Sequence, residues 1–149
     1  MTNLRIRNME MNDLEDVLEV ETASFTNPWP KEIFYQELVD NQYGHYFVAE
    51  VEEQIIGYVG LWIVLDDAQI TNIAILPKYR GYSYGEKLFA YACQQAQSRG
   101  VRRLSLEVRA SNTVAQRMYR KFGLVPGGIR KKYYTDNHED AIVMWVNLQ

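Results

Sequence analysis

The sequence predicts one α/β (α+β) domain in which helices flank a mixed, mostly antiparallel sheet. Segments rich in β-branched and aromatic residues alternate with segments whose apolar residues recur at helical spacing, in the order β-α-α-β-β-β-α-β-α-β-β. Near the middle, one helix joins a strand at 68–76 to a strand at 103–109. Such a β-α-β unit places its two strands side by side and parallel, with a right-handed crossover.

Size and composition favour a single domain over residues 1–149. With 47% apolar residues, the chain is long enough for one packed core and short for two. Its 16 basic and 19 acidic side chains leave a net charge of −3, which predicts binding neither to nucleic acid nor to an anionic membrane. Cys93 is the only cysteine, so we expect no internal disulfide and no metal site. Because bilayer-length apolar segments and a secretory signal are absent from the sequence, we expect a cytoplasmic protein.

The first half of the chain is predicted to form a strand, two helices and an antiparallel hairpin. Asn12 is a candidate cap for the first helix, and NPWP at 27–30 separates the two helices. Glu52 and Glu53 form the predicted hairpin turn. The predicted elements are a strand at 4–9, helices at 11–25 and from 31 to about 40, and strands at 45–51 and 54–64.

The second half is predicted to alternate strands and helices and to close with two strands. Gly100 supplies the stop for a helix whose residues Leu88, Ala92 and Ala96 share one face. The predicted elements are strands at 68–76 and 102–108, helices at 86–100 and 111–123, and closing strands at 128–134 and 140–148.

The loop PKYRGYSYGEK, at 77–87, joins the central strand to a helix and suits a diphosphate. Such a loop presents unpaired backbone N–H groups and the positive end of the helix dipole. Gly81 and Gly85 permit positive φ and close backbone approach, although the spacing matches neither a Walker A loop nor a dinucleotide fingerprint. The positive charges are supplied by Lys78, Arg80 and Lys87.

A purely structural interpretation of the same loop stays open. Ser83 and Glu86 have the S-x-x-E spacing of a capping box, in which case the glycines only make a turn.

Several segments carry a resemblance to a known family. NIAILPKYRGYSYG resembles the Q/R-x-x-G-x-G/A acetyl-CoA motif of the GNAT acetyltransferases. LEVRASNTVAQRMYRKFGL resembles the segment that follows this motif in the bacterial ribosomal-protein-alanine N-acetyltransferases, the RimI type. NPWP, VLDDAQITNIAI and the RKKYY…EDAIVM ending extend the similarity over nearly the whole chain. The chain departs from the family at Ser83, where glycine is usual, and at Glu86, where a basic residue is frequent.

The resemblance implies the GNAT fold, with the central parallel strands splayed apart, and acetyl-CoA as co-substrate without a metal. It implies transfer to the N-terminal alanine of a basic ribosomal protein, the eighteenth of the small subunit. It assigns catalysis to Glu107 as proton acceptor and Tyr119 as proton donor. The implied acetyl-CoA contacts are Ile73, Ala74, Ile75, Arg80, Gly81, Tyr82, Ser83, Tyr84, Gly85, Glu86 and Asn112.

Glu107 is compatible with this role, because alternation in RRLSLEVR places it on the face opposite Leu106 and Val108. A solvated strand carboxylate is the ordinary alternative. An α-amino group has a pKa near ~8 and a glutamate near ~4.3, so burial or a relaying water must assist proton transfer. A lysine amine, with a pKa near ~10.4, is harder to neutralise, which favours an N-terminal substrate.

Tyr119 and Asn112 each combine a structural and a chemical interpretation. Tyr119 lies on an apolar helical stripe, yet a tyrosine can bury its ring while its hydroxyl reaches a cleft. Its phenol, near pKa ~10, suits proton sharing with a thiolate near ~8.5. Asn112 is equally a candidate N-cap for the helix that begins at Thr113.

A peptide-binding side is suggested by aromatic and acidic residues, for which ordinary surface packing is the alternative. These residues are Trp29, Asp66, Asp67, Tyr133 and Tyr134. His45 and His138 fit no catalytic spacing. Two rival functions remain at this stage: the same chemistry on lysine or a small amine, and a catalytically silent acyl-CoA-binding module. Oligomeric state has no signal in the sequence.

Overall fold

The computed structural model describes residues 3–148, which form a seven-stranded sheet in the order β1-β2-β3-β4-β5-β7-β6. All neighbouring strands are antiparallel except β4 and β5. The strands are β1 Leu4–Asn8, β2 Gly44–Val51, β3 Gln54–Val64, β4 Asp67–Ile75, β5 Arg103–Arg109, β6 Val125–Arg130 and β7 Ala141–Asn147. The helices are α1 Leu14–Ser24, α2 Lys31–Val39, α3 Tyr84–Ser98 and α4 Thr113–Lys121. The mixed sheet with a central parallel pair confirms the predicted fold class.

Two apolar clusters cover the two faces of this sheet. One cluster joins α3 and α4 to the sheet and includes the fully buried Leu88 and Phe89. The other joins α1 and α2 to the opposite face and includes Val17 and Phe34, both 0% exposed. Burial of side chains on both faces explains the long apolar segments of β3 and the apolar stripes of the helices.

The parallel pair separates partway along its length. β4 and β5 pair only at Asp67–Gln69 with Arg103–Ser105, after which β4 continues on β3 and β5 continues on β7. A β-bulge accompanies the separation, because Gly60 pairs with Asn72 whereas the adjacent Leu61 pairs with Ile70. Thr71 is therefore the extra residue, and the side chains beyond it change face.

Most predicted elements are confirmed, including the hairpin turn, where Glu52 and Glu53 have φ of 51° and 67°. Asn12 is not the cap of the first helix. A 3-10 turn at Met11–Asp13 precedes α1, and the Asp13 carboxylate accepts the backbone N–H of Glu10 at 2.7 Å. Asp13 is the residue before α1, but its side chain caps the 3-10 turn and makes no capping hydrogen bond to α1.

The strand predicted at 128–134 is also wrong in its bounds. β6 begins earlier, at Val125, and ends at Arg130. The next residues turn instead, because Lys132 has φ of 50° and its N–H donates to the Asp140 carboxylate at 2.9 Å. The aromatic pair at 133–134 therefore belongs to a loop. Residues 1, 2 and 149, which the predicted domain 1–149 includes, lie outside the described residues. Within 3–148, no helix is long and apolar enough to cross a membrane.

Candidate active site

A cavity of about 460 Å³ lies where β4 and β5 separate. Its lining includes Ile70 to Ile73 from β4 and Leu106 to Arg109 from β5. The remaining lining comes from Glu21 on α1, from the segments that follow α1 and β6, and from Asn112 and Tyr119 at the start and in the second half of α4. This volume is within the range of about 300–1,000 Å³ that is common for small-molecule sites.

Glu107 faces this cavity from β5. Leu104, Leu106 and Val108 are buried, as the alternation predicts, and the Glu107 side chain on the other face is only 14% exposed. Its carboxylate forms an ion pair with the Arg130 Nε atom and a hydrogen bond with the Tyr133 side chain. The residue is thus a cavity carboxylate rather than a freely solvated one.

Tyr119 reaches the same cavity from α4. Its ring is 5% exposed and packs against Phe89 with centroids 5.0 Å apart. Burial, with a smaller contribution from Tyr134, raises the pKa of Tyr119 above its ordinary value. The phenol therefore carries its proton at neutral pH. The ring belongs to the core, as the apolar stripe predicts, and the residue lines the cavity. The role of Tyr119 as proton donor stays a prediction.

The glycine loop lies beyond the cavity, at the carboxyl end of β4. A 3-10 turn at Pro77–Tyr79 leads into it, and the Arg80 Nε atom donates to the Ile75 carbonyl at 2.9 Å. Gly81 has φ of +86°, and a Cβ there would meet nothing within 4 Å. The cavity lining contains Ile73 and Asn112 but not Ala74, Ile75 or the loop residues from Arg80 to Glu86.

The predicted capping box between Ser83 and Glu86 is wrong. Ser83 is the N-cap residue of α3, but its φ of 66° is left-handed and its side chain makes no capping hydrogen bond. The Glu86 carboxylate lies 3.4 Å from Lys121 Nζ on α4, so its negative charge is partly offset. The backbone angle explains why glycine is the easier residue at position 83.

Asn112 begins α4 and also lines the cavity. Its Oδ1 accepts the Ala115 backbone N–H at 3.2 Å, which confirms the capping interpretation. A contact with acetyl-CoA is compatible with this bond and stays a prediction.

Hydrogen bonds connect the α1–α2 loop to the β6–β7 loop beside the cavity. The Thr26 hydroxyl donates to Asp136 at 2.6 Å, and the Asn27 amide donates to Thr135 Oγ1 at 3.3 Å. Arg109 on β5 also binds the β6–β7 loop, with its guanidinium 2.8 Å from the Asp136 carboxylate. Hydrogen bonding from Thr26 and then from Arg109 lowers the pKa of Asp136 to about 2.

The predicted peptide-binding residues separate into two groups. Trp29, Tyr133 and Tyr134 line the cavity. Asp66 and Asp67 do not, because they lie where β4 and β5 are still paired, and the Asp66 carbonyl accepts the N–H groups of Arg102 and Arg103. Sequence reasoning missed Glu21, Thr26, Asn27, Asn72 and Arg109, which also line the cavity. The NPWP segment at 27–30 marks the α1–α2 loop in the sequence, but it gives no indication that this loop contacts the β6–β7 loop.

Comparison with known proteins identifies the family. The Acetyltransferase (GNAT) family model matches residues 14–124 of this chain.

The chain belongs to the GNAT acetyltransferase family.

A Bacillus subtilis (strain 168) protein, described as a candidate [ribosomal protein bS18]-alanine N-acetyltransferase, is 56% identical over 147 residues, covering 99% of this chain and 97% of that protein. The crystal structure of the Escherichia coli ribosomal-protein-S18-alanine N-acetyltransferase has a TM-score of 0.91 at 30% identity, covering 99% and 95% of the two chains. A Thermoplasma acidophilum PaiA N-acetyltransferase in complex with coenzyme A shares the fold, with a TM-score of 0.83 at 21% identity over 98% and 99% of the chains. The resemblance found in the sequence is thus confirmed.

In this GNAT chain, the separation of β4 from β5 directs backbone N–H groups of β4 toward the space that an acyl-CoA would occupy. The Leu76 N–H donates to Ile56 on β3 at 2.7 Å, and N–H groups of successive strand residues point to opposite edges. The backbone N–H group of Ala74 therefore points toward β3. The N–H groups of Ile73 and Ile75 point toward the gap between β4 and β5, where β5 no longer pairs with β4. Within 3–148, no cluster of His, Cys, Asp and Glu has metal-binding geometry.

Proposed function

We propose that this chain transfers acetyl from acetyl-CoA to the N-terminal α-amino group of a protein, specifically to the N-terminal alanine of ribosomal protein S18. Support for the substrate comes from the names of the Bacillus subtilis and Escherichia coli relatives. Support for the chemistry comes from one observation: Glu107 and Tyr119 line a single cavity at the parting of the parallel strands.

Acetyl-CoA supplies an activated thioester carbonyl to this site. The N–H group of Ile73, which lines the cavity, is proposed to donate to the carbonyl oxygen as negative charge develops there. The N–H group of Ile75 points the same way about 6.6 Å further along β4 and is proposed to donate to the pantetheine chain. Ala74 then contributes no hydrogen bond, and its side chain belongs to the core beneath α1 and α2. The segment from Arg80 to Glu86, which comprises the exposed loop 80–83 and the first turn of α3, is proposed to hold the diphosphate through its N–H groups and the amino end of the helix.

Two proton transfers complete the reaction. As the amine nitrogen bonds to the carbonyl carbon, its proton passes to Glu107, directly or through a water, and the carbon–sulfur bond breaks. The departing sulfur receives the proton of the Tyr119 hydroxyl, which burial keeps protonated. Arg130 occupies the Glu107 carboxylate in this structure, so the substrate amine competes with a guanidinium that is 60% exposed.

The bridged loops favour an N-terminal amine over a lysine. Hydrogen bonds from Thr26 and Asn27 tie the α1–α2 loop to the β6–β7 loop beside the cavity. A chain end can enter beneath such a bridge, whereas a mid-chain lysine must bring two strands of peptide with it. The proposed partner is thus the N-terminal peptide of a basic ribosomal protein, met in the cytoplasm without a requirement for nucleic acid or membrane contact.

A peptide panel tests the proposal. Acetyl-CoA is mixed with an alanine-starting S18 peptide, with the same peptide blocked at its N-terminus, and with a blocked peptide that carries an internal lysine. We expect free thiol to appear only with the first peptide, and mass spectrometry to place one acetyl group on the alanine nitrogen. Acetylation of the lysine peptide, or of a small amine at a higher kcat/KM, would contradict the substrate. Acetyl-CoA binding without turnover of any amine would indicate a silent binding module.

A further inference from the structure

A buried carboxylate lies in the cavity wall beside the α1–α2 loop. Glu21, on α1, is 1% exposed, and both of its oxygens accept hydrogen bonds. Oε2 accepts the Trp29 backbone N–H at 2.8 Å, and Oε1 accepts the Tyr58 hydroxyl. Burial raises the pKa of Glu21, and no described lysine or arginine forms a salt bridge with it. Burying a carboxylate lowers the stability of the folded protein unless hydrogen bonds compensate, so the groups that donate to Glu21 are important.

The direction of these hydrogen bonds fixes the amide of Asn72. Tyr58 gives its single proton to Glu21, so its oxygen can only accept from the Asn72 side chain, which is near enough to interact with the phenol. The Asn72 amide must therefore present Nδ2 to Tyr58. Its Oδ1 is left buried, and no described residue donates to it.

Aromatic packing makes the relay formed by Glu21, Tyr58 and Asn72 rigid. Trp29 packs edge-on against Phe34 at 5.3 Å, and Phe34 packs edge-on against Tyr58 at 5.5 Å. The two ring contacts and the two Glu21 hydrogen bonds form a closed circuit from the α1–α2 loop to β3. Asn72 extends the circuit to β4, immediately after the bulged Thr71 and immediately before Ile73.

We propose that Glu21 is a positioning residue for the acceptor peptide. Through Trp29 it fixes the loop that walls the peptide side of the cavity, and through Tyr58 and Asn72 it fixes the polarity of the wall beside the β4 bulge. This inference rests on the proposed function, because it concerns the amine substrate of that reaction. Glu21 itself touches no reacting atom in this scheme.

A glutamine at position 21 would reverse the relay while preserving its shape. Its single oxygen would accept the Trp29 N–H, and its NH₂ group would donate to Tyr58. Tyr58 would then donate to Asn72, whose amide would have to rotate and turn Oδ1 toward the phenol. Glu21→Gln therefore changes the wall polarity without removing volume. In the double variant Glu21→Gln/Asn72→Asp, the carboxylate is at position 72 instead of position 21. One of its oxygens can accept from Tyr58, and the other restores a hydrogen-bond acceptor at the cavity wall.

The experiment compares steady-state kinetics on the alanine-starting peptide with acetyl-CoA affinity and melting temperature. For Glu21→Gln we expect the peptide kcat/KM to fall about tenfold or more and the acetyl-CoA Kd to stay within about twofold. The double variant Glu21→Gln/Asn72→Asp should recover at least about threefold. Val17→Ala, on the same helix and 0% exposed, serves as the stability control and should lower the melting temperature without changing the kinetics.

The outcomes separate cleanly. If the wild-type protein does not acetylate the peptide, the proposed function fails before any variant is considered. If the wild type is active and Glu21→Gln matches it, the positioning role is wrong. The role is equally wrong if Glu21→Gln behaves as Val17→Ala does, or if the double variant is no better than the single one. Loss of acetyl-CoA affinity in Glu21→Gln would place the effect on the wrong substrate and also overturn the inference.

Discussion

Glu107 on β5 and Tyr119 on α4 line one cavity, at the point where β4 separates from β5. Glu107 brings a carboxylate held by Arg130 and Tyr133, and Tyr119 brings a phenol whose burial keeps it protonated. A proton acceptor and a proton donor in one cavity are what acetyl transfer to an amine requires. The separation of β4 from β5 creates the space between them.

Replacing Glu107 by glutamine should lower kcat/KM for the peptide about 100-fold or more. The change removes the proton acceptor and keeps the volume, and general base catalysis commonly contributes about 10²–10⁴-fold. Steady-state assays of thiol release provide the measurement. Stability should change by less than about 1 kcal/mol, because the lost ion pair involves a mostly exposed Arg130. A decrease in kcat/KM below about threefold would remove Glu107 from the mechanism.

Replacing Tyr119 by phenylalanine should lower kcat about 10–100-fold while leaving acetyl-CoA binding intact. The loss is smaller than for Glu107, because a thiolate with a pKa near ~8.5 departs with little help from an acid. The ring contact with Phe89 remains, so the melting temperature should be preserved. Kinetics and calorimetric binding to acetyl-CoA supply the two readouts. Weaker binding with unchanged kcat would make Tyr119 a binding residue instead.

Replacing Ser83 by glycine should stabilise the protein by about 0.5 kcal/mol. Ser83 has φ of 66°, a left-handed conformation that costs a non-glycine residue about 1–2 kcal/mol, partly offset by the greater freedom of glycine in the unfolded chain. Urea unfolding is the measurement. Gly81→Ala is the matched control and should destabilise the protein, because φ is +86° there. A new Cβ would meet nothing within 4 Å, so the backbone conformation alone, and not a steric clash, would cause the loss. A less stable Ser83→Gly variant would show that the hydroxyl has a stabilising partner.

Replacing Asp13 by asparagine should reveal a pH-dependent contribution to stability. Arg7 binds both oxygens of Asp13, at 2.8 and 2.9 Å, and this contact lowers the pKa of the carboxyl below its ordinary value. A lowered pKa means that the stabilisation is complete above the unfolded pKa, near ~3.9, and is lost as pH falls through the folded value. At pH 7 the variant should be about 1–3 kcal/mol less stable.

Unfolding free energies of the wild type and Asp13→Asn, measured between pH 7 and pH 2.5, test this point. The difference between the two proteins should stay constant down to about pH 4 and then narrow. A difference that persists unchanged at the lowest pH would mean that the carboxylate charge is not what stabilises the turn before α1.

The sequence predicted the order of strands and helices because burial leaves a periodic signal. Leu104, Leu106 and Val108 alternate with polar residues and lie in the core, and Gly100 ends α3 with φ of +82°. The last hairpin was less predictable, since β6 is exposed at every residue and has no buried face to set its bounds. One domain over 1–149 stays a prediction.

The site was predicted through resemblance rather than periodicity. Glu107 and Tyr119 stand out only once the GNAT pattern is recognised, and their roles stay predictions here. Glu21 escaped notice because a glutamate on a helix is usually solvated, and only the fold reveals its burial. The contact between Thr26 and Asp136 joins distant segments, and no local pattern records such a pair.

A crystal structure of the protein with coenzyme A tests the central geometric claim most directly. We expect the pantetheine to lie between β4 and β5, with the sulfur within about 4 Å of the Tyr119 hydroxyl and Glu107 on the opposite side of the sulfur. The N–H groups of Ile73 and Ile75 should point toward the pantetheine end. Coenzyme A bound outside the gap between the strands, or a sulfur remote from both side chains, would contradict the proposed mechanism.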